Sequence, residues 1–455
     1  MKWNNCFSGK RYGVGRGPSE IRSEYEKDYD RIIFSSAFRR LQNKTQVFPI
    51  PKHVFVHNRL THSLEVASVG RSLGKLVGKE IAKLSDVSSD PNAKSFYENH
   101  LGNVIAAACL AHDLGNPAFG HSGEEAISKY FIDREEDEEF KKLFTPEEWS
   151  DLIKFEGNAN SLRIITKKRN SSIEGGFRLT YSTLGSIIKY PCAAIESKGK
   201  KGPLHLKKYG FFQADKDVYE TVTNALNMVN DSGTAFYRHP FSFLVEAADD
   251  ICYNIVDFED AHRLNIISTE KITELFLGIV EKNPHEDIKH LKRMLKLLNE
   301  NANEKIAYLR SKAINYLTIS AAEVFMKKQK IILAGTYDAS LLNSIKGVQR
   351  ILSEIEDISV DKIYNYNSVV KIELVGFKVM STLIKDFVEA ALISKEKRQT
   401  RHRKILRLLP EQDKFEESDT PYLKIMRILD FMSGMTDLYA LELYRNTQGI
   451  SLPTI

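Results

Sequence analysis

The residues best able to do chemistry gather in "AHDLGNPAFGH", Ala111 to His121. His112 and Asp113 close an apolar run, and His121 follows after Gly115-Asn116-Pro117. Adjacent imidazole and carboxylate groups can hold a metal ion, and an imidazole near neutral pH can move protons. The dipeptide by itself is weak evidence, because a buried histidine at a helix C-terminus is favoured electrostatically without any further role. Two distant features shift the balance. "HNRLTH" places His62 near the start of a helix, and "EAADD" places Asp249 and Asp250 inside an otherwise apolar one. A carboxylate buried without a partner is costly, so a metal ion or an ion pair is expected there. Two imidazoles and two carboxylates are borderline-to-hard ligands that suit Mn²⁺, Mg²⁺, Fe²⁺ or Ni²⁺. With only four protein ligands an octahedral ion keeps positions for water and a phosphate oxygen, the layout of metal-assisted phosphoester hydrolysis.

Helices must position these groups. Apolar or small residues recur in steps of three and four at Leu60, Leu64, Ala67, Gly70, Leu73, Val77, Ile81 and Leu84. Gly70, Gly74 and Gly78 share one stripe of that helix, which predicts a second helix packed closely against it. "NVIAAACLAH" (Asn103 to His112) is apolar nearly all round and predicts a central buried helix, stopped by Gly115-Asn116-Pro117. Ser122 is an N-cap candidate for the next helix, with Glu124 and Glu125 in its first turn. Phe241 to Leu264 reads as one long helix after Pro240, and helices continue over Ile272–Leu317 and Asp361–Leu409. "GFRLTYSTL" (Gly176–Leu184) reads equally as a strand or as a loop entering a helix. Glu196–Gly210 reads as a basic, mobile loop.

Composition bounds the class. The chain has 455 residues, 42% hydrophobic and 27% charged, with a net charge of +5, too small for wholesale nucleic-acid coating. Cys6, Cys109, Cys192 and Cys252 are far apart and form no C-x-x-C, which points to reduced thiols. The start, "MKWNNCFSGKRYG", carries no apolar signal run, and no uncharged stretch reaches the ~18 residues of a membrane span. A soluble, cytoplasmic protein with no membrane partner is expected.

Seven segments carry a resemblance over residues 38 to 445: "FRRLQNKTQVF", "RLTHSLEV", "AHDLGNPAFGHSGE", "FEGNANSLRI", "LTYSTLGSIIKYP", "EAADDICYNIVDFEDA" and "SGMTDLYALELYR". Together they resemble the bacterial deoxyguanosinetriphosphate triphosphohydrolases (dGTPases), within the HD-domain dNTP triphosphohydrolases. The resemblance implies a mainly α fold, with an HD-domain metal-phosphohydrolase core in residues 1–265 and a helical C-terminal extension in residues 266–455. It implies hydrolysis of a dNTP, dGTP foremost, at the α-phosphate to deoxynucleoside and inorganic triphosphate. His62, His112, Asp113 and one aspartate of the 249–250 pair would hold the metal. Asp249, Tyr253 and Asp257 share one helix face at i, i+4 and i+8, as in the family, whereas Asp250 lies about 100° away, so Asp249 is taken as the ligand. Mn²⁺ or Mg²⁺ is expected first, with Fe²⁺, Ni²⁺ or Co²⁺ as alternatives.

The same resemblance assigns His121 and Glu124 to catalysis, His121 acting either as base toward water or as acid toward the departing 5′ oxygen. Arg59, one turn before His62, and Lys189 and Tyr190 would meet the phosphates. Gln46 would probe the 3′-OH, Tyr253 and Asp257 would line the sugar end, and Asn158 is a further pocket candidate. A homo-oligomer, hexamer or tetramer, is implied, as is an allosteric dNTP or single-stranded DNA in some members. The basic run Lys395–Pro410 is either a solvated helix face or such an allosteric patch. The lysines of Glu196–Gly210 receive no individual roles. "GVGRG" (Gly13–Gly17) lacks the spacing of a dinucleotide loop, and "GKLVGKE" is one residue short of a P-loop and sits inside a helix, so both are rejected. Two alternatives differ in class: another HD phosphohydrolase acting on nucleoside monophosphates or alarmones, and a catalytically silent nucleotide- or DNA-binding regulator.

Overall fold

A computed structural model describes residues 1–13, 22–48, 56–167, 176–229 and 236–452. Beyond Gly13, the rejected Gly13–Gly17 segment lies outside the described residues. Among the described residues the regular structure is helical, and β pairing is limited to isolated bridges such as Thr45–Asn58.

Local sequence explains where the main helices begin. α1 (Glu24–Ile33) starts at a Ser23 capping box. α2 (Arg59–Ile81) starts at Asn58, whose side chain accepts from the Thr61 N–H while Thr61 answers with its hydroxyl. α3 (Leu101–Ala111) is buried on every side except at Asn103. α4 spans His121–Ile132 and begins one residue before the predicted Ser122 cap. Its N-cap is Gly120, with a φ of 56° that favours glycine, so backbone geometry at the preceding turn overrode the side-chain signal. α5 (Gly157–Thr166) is capped by Glu156, and α6 (Tyr181–Ile187) by Thr180, which settles "GFRLTYSTL" as a loop entering a helix. α7 (Pro240–Arg263) takes Pro240 as its first residue, where the missing N–H costs nothing. After Asn265 come α8 (Thr269–Val280), α9 (Ala302–Leu333), α10 (Asn367–Leu392), α11 (Thr400–Arg407), α12 (Pro421–Ser433) and α13 (Asp437–Thr447).

These helices bury two apolar clusters. α2, α3, α6, α7, α8 and α9 share the first, and α4, α10, α12 and α13 share the second. A buried ionic staple ties α5 to α12: Arg163 grips Asp430 at 2.7 and 2.9 Å with two nitrogens and reaches Asp215 with a third. Glu196–Gly210, expected as a mobile loop, folds as short 3₁₀ turns closed by Lys198 N–H on Leu206 O (2.8 Å). The basic run carries α11, and several of its arginines are already engaged: Arg398 with Glu417, Arg401 with Asp386, and Arg403 with the Arg398 carbonyl. Among the described residues, no helix is long and apolar enough to cross a membrane.

The glycine stripe of α2 meets α3 and the segment before it. A Cβ on Gly70 would lie 2.5 Å from Cys109 Sγ, and one on Gly74 would lie 2.8 Å from Gly102 Cα. The second contact is backbone against backbone, so no side chain can yield. Gly74→Ala is therefore expected to destabilise the protein, although alanine gains about 1 kcal/mol of helix propensity over glycine. Overpacking costs of about 1–3 kcal/mol predict a lower denaturation midpoint in guanidinium chloride with an unchanged m-value. An equal or higher midpoint would show that the two helices can part without penalty.

Candidate active site

His62 lies one turn into α2, and His112 caps the end of α3, so the α2–α3 contact brings their rings to 5.5 Å between centroids. Ligand atoms of His62, His112 and Asp113 lie within 4.8 Å of one another. From α7, Asp249 Oδ1 approaches to 3.1 Å from His62 Nε2 and 3.4 Å from His112 Nε2. Ligands about 2.1 Å from an octahedral ion stand roughly 3 Å apart along each edge, so these separations suit a shared cation. His112 Nδ1 donates to the Cys109 carbonyl at 2.6 Å, which leaves Nε2 as the outward nitrogen, and that atom is buried without a hydrogen bond. Such a donor set fits a divalent ion.

The neighbouring aspartates divide by environment. Burial works against the Asp249 charge, but His112 and His62 outweigh it and hold its carboxyl well below the usual range. Asp250 differs: burial and the nearby Glu246 push it up to about 7, even with Lys189 close by. Asp113, also buried, is held low chiefly by Arg59, whose NH1 lies 2.8 Å from its Oδ2. Arg59, expected at a phosphate, thus already pairs with a carboxylate of the cluster while still lining the cavity.

A cavity of about 470 Å³ opens over the cluster. It is lined by Gln46, Arg59, His121, Asn158, Lys189, Tyr190 and Tyr253 among the residues selected from sequence. Asp257 is not in its wall: it is buried beyond Tyr253, with Oδ2 unpartnered, and burial beside Asp260 raises its carboxyl far above the ordinary range. Gln46 Oε1 is also buried without a partner. His121 is 84% exposed at its side chain, and its Nδ1 contacts Glu124 Oε2 at 2.8 Å. Glu124 is itself buried and fixed by the Gly157 N–H on Oε1 at 2.8 Å, so the imidazole stands on a rigid carboxylate. Burial raises the Glu124 pKa, but the His121 contact and nearby Lys208 bring it below its ordinary value.

The turn between the two histidine sites is gripped by "NANS". Ser161 Oγ accepts from Gly115 N–H and donates to the His112 carbonyl, and Asn160 donates to the Gly115 carbonyl. Asn158 instead turns to Glu156, donating from Nδ2 at 2.6 Å.

Sequence reasoning missed several lining residues. Lys208 comes from the basic loop that received no assignments; its Nζ lies 2.9 Å from Glu156 Oε1 and faces the cavity. Tyr364, just before α10, and Ile372 and Glu373, in its first turns, also line the cavity. A run of lysines pointed to Lys208 without selecting it, whereas the α10 residues carried no local signal.

Comparison with known proteins gives the family. Residues 59–155 match the model of the HD domain, a metal-dependent phosphohydrolase fold. The chain is 37% identical to a "Deoxyguanosinetriphosphate triphosphohydrolase-like protein" of Synechocystis sp., over 99% of this chain and 100% of the relative. It is 36% identical to a protein of the same description from Pseudomonas aeruginosa, over the whole of both. This chain belongs to the dGTPase family. A "Deoxyguanosinetriphosphate triphosphohydrolase" of Yersinia enterocolitica is 30% identical over 94% of each chain. The HD match of this dGTPase-family chain spans α2, α3 and α4, and so includes His62, His112, Asp113, His121 and Glu124, while Asp249 lies outside it on α7.

In the metal-free protein, burial disfavours the His112 charge, yet Asp113 and Asp249 raise its pKa to about 9. A metal ligand must be neutral, so below that pH the ion competes with a proton. Mn²⁺ affinity measured by calorimetry should rise about tenfold per unit from pH 6 towards 8 and level off near 9. A flat profile, or unchanged binding in His112→Ala, would remove His112 from the metal site.

Proposed function

We propose that the protein hydrolyses deoxynucleoside triphosphates, dGTP foremost, at the α-phosphorus, releasing deoxynucleoside and intact inorganic triphosphate. One observation carries this reading: a single cavity is lined by the His62–His112–Asp113–Asp249 cluster, by His121 on its buried Glu124, and by Arg59, Lys189 and Lys208. That combination suits a polyanionic substrate attacked at a phosphorus beside a cation. The likeness to relatives named for dGTP supports the nucleotide class.

Cationic side chains receive the triphosphate. Lys189, 3.3 Å from Glu246, and Lys208, on Glu156, are tethered before substrate arrives, so little rotamer freedom remains to be lost. Gln46 and Tyr253 meet the deoxyribose, Gln46 with its unpartnered oxygen. His62, His112, Asp113 and Asp249 would hold a divalent ion, Mn²⁺ or Mg²⁺, which when bound would supply positive charge against the phosphate and lower the pKa of a water. In the reaction the water oxygen–phosphorus bond forms and the phosphorus–O5′ bond breaks. His121, whose Nδ1 contact to Glu124 turns Nε2 outward, handles one of the two protons, taking the one lost by water or giving the one gained by O5′, and the other is exchanged with solvent.

A panel of dNTPs with Mn²⁺ or Mg²⁺, scored for triphosphate, tests the reading; orthophosphate or pyrophosphate would point to another HD reaction. His121→Ala should lower kcat by about 10²–10⁴-fold, the ordinary scale of general acid–base catalysis. The kcat–pH profile of the wild type separates the roles of His121, with a limb rising with pH for a base and falling for an acid. Lys208→Ala should raise KM more than it lowers kcat. Repeating the panel with a second nucleotide or single-stranded DNA, and weighing the protein in solution, checks the effector and the homo-oligomer.

A further inference from the structure

The motif "SGMTDLYALELYR" plays no part in the reading above, yet it reaches the cavity from behind. Asp437, the first residue of α13, is buried and uses both carboxylate oxygens on backbone donors far away in sequence. Oδ2 accepts from Thr45 N–H at 2.8 Å, and Oδ1 accepts from Phe119 N–H at 2.9 Å. Thr45 immediately precedes Gln46, and Phe119 immediately precedes the Gly120–His121 start of α4. Phe119 has a φ of 61°, a left-handed conformation uncommon for an aromatic residue. Its side chain packs on Gly376 of α10, where an added Cβ would lie 2.4 Å from Phe119 Cβ and 2.5 Å from the ring carbon Cγ. A second strut runs parallel. Lys44 Nζ donates to the Asn116 carbonyl at 2.5 Å and to the Ser433 carbonyl at 2.7 Å, and Asn116 in turn donates to Asp113 Oδ1.

We propose that Asp437 is a positioning residue that fixes the Gln46 segment against the turn delivering His121, and so sets the sugar-reading wall relative to the proton-transferring imidazole. The proposal rests on the roles assigned to Gln46 and His121 above. Two diverging N–H donors require two acceptors, and a carboxylate provides both, whereas an asparagine in the same place would turn an NH₂ towards one of the donors. The position in the first turn of α13 favours the negative charge.

The test uses the full-length protein with Asp437→Asn. Hydrogen exchange should accelerate at least tenfold in the segments holding the Thr45 and Phe119 amides, while Mn²⁺ affinity stays within about threefold; this readout needs no turnover. With dGTP and Mn²⁺, kcat should fall at least thirtyfold with KM changed less than fivefold. In a His121→Ala background the same substitution should add less than threefold, because Asp437 acts through His121. Asp437→Ser, whose hydroxyl cannot accept from both the Thr45 and Phe119 N–H groups at once, gives the same comparison if Asp437→Asn does not fold. Unchanged exchange at both amides, or losses that multiply with His121→Ala, would overturn the proposal. Accelerated exchange in a protein that releases no triphosphate would uphold the clamp and defeat the functional reading instead.

Discussion

The close approach of α2 to α3 is the constraint on which the rest depends. Gly70 and Gly74 leave no room for a side chain, Gly70 against Cys109 Sγ and Gly74 against the Gly102 backbone, so the two helices pack closely. That contact runs towards the end where α2 begins and α3 finishes, and it brings His62 beside His112. A wider spacing, with ordinary side chains between the helices, would separate the two imidazoles by more than a shared ion can bridge. Because α3 is buried almost throughout, the histidine at its end has little freedom to adjust.

Charge around the cavity follows from burial. Each carboxylate near the cluster either has a cation or is driven towards its neutral form. Asp113 has Arg59, Glu246 has Arg238 and Lys189, while Asp250 is pushed up to about 7 and Asp257 well above its ordinary value. Lys44 shows the converse: burial, with Arg40 and Arg59 nearby, lowers it to about 7, and its hydrogen bonds go to two carbonyls. The cations that face the cavity are thus held by protein carboxylates in advance. An anionic substrate gains attraction from them without ordering long side chains on arrival.

The C-terminal helices are more than a covering. α10 supplies one wall of the cavity, α12 is stapled to α5 through Arg163 and Asp430, and the turn from α12 to α13 carries the Ser433 carbonyl and the Asp437 carboxylate. The loop between His112 and His121 is therefore gripped from two sides, by "NANS" of α5 and by the α12–α13 turn.

Much of this was legible in the residues. The 3.6-residue periodicity and the glycine stripe of α2 forecast a helix packed tightly against another, and the HD dipeptide with His62 and the Asp249 face forecast a cluster. These are local signals, or signals of residue type, and survive being read in one dimension. The N-cap of α4 lies two residues before Ser122, at Gly120, because the φ of Gly120 is set by a turn braced from elsewhere, and a side-chain rule for Ser122 cannot register it. The place of Asp257 behind Tyr253 depends on how far α7 is turned about its axis, which an i, i+4, i+8 pattern leaves open by one helical row. The selection of Lys208 from a run of lysines, and the pairing of Asp437 with amides 392 and 318 residues away, belong to tertiary structure. Contacts at such separations leave no periodic trace in the chain, because the groups they join are backbone N–H donors that every residue but proline possesses.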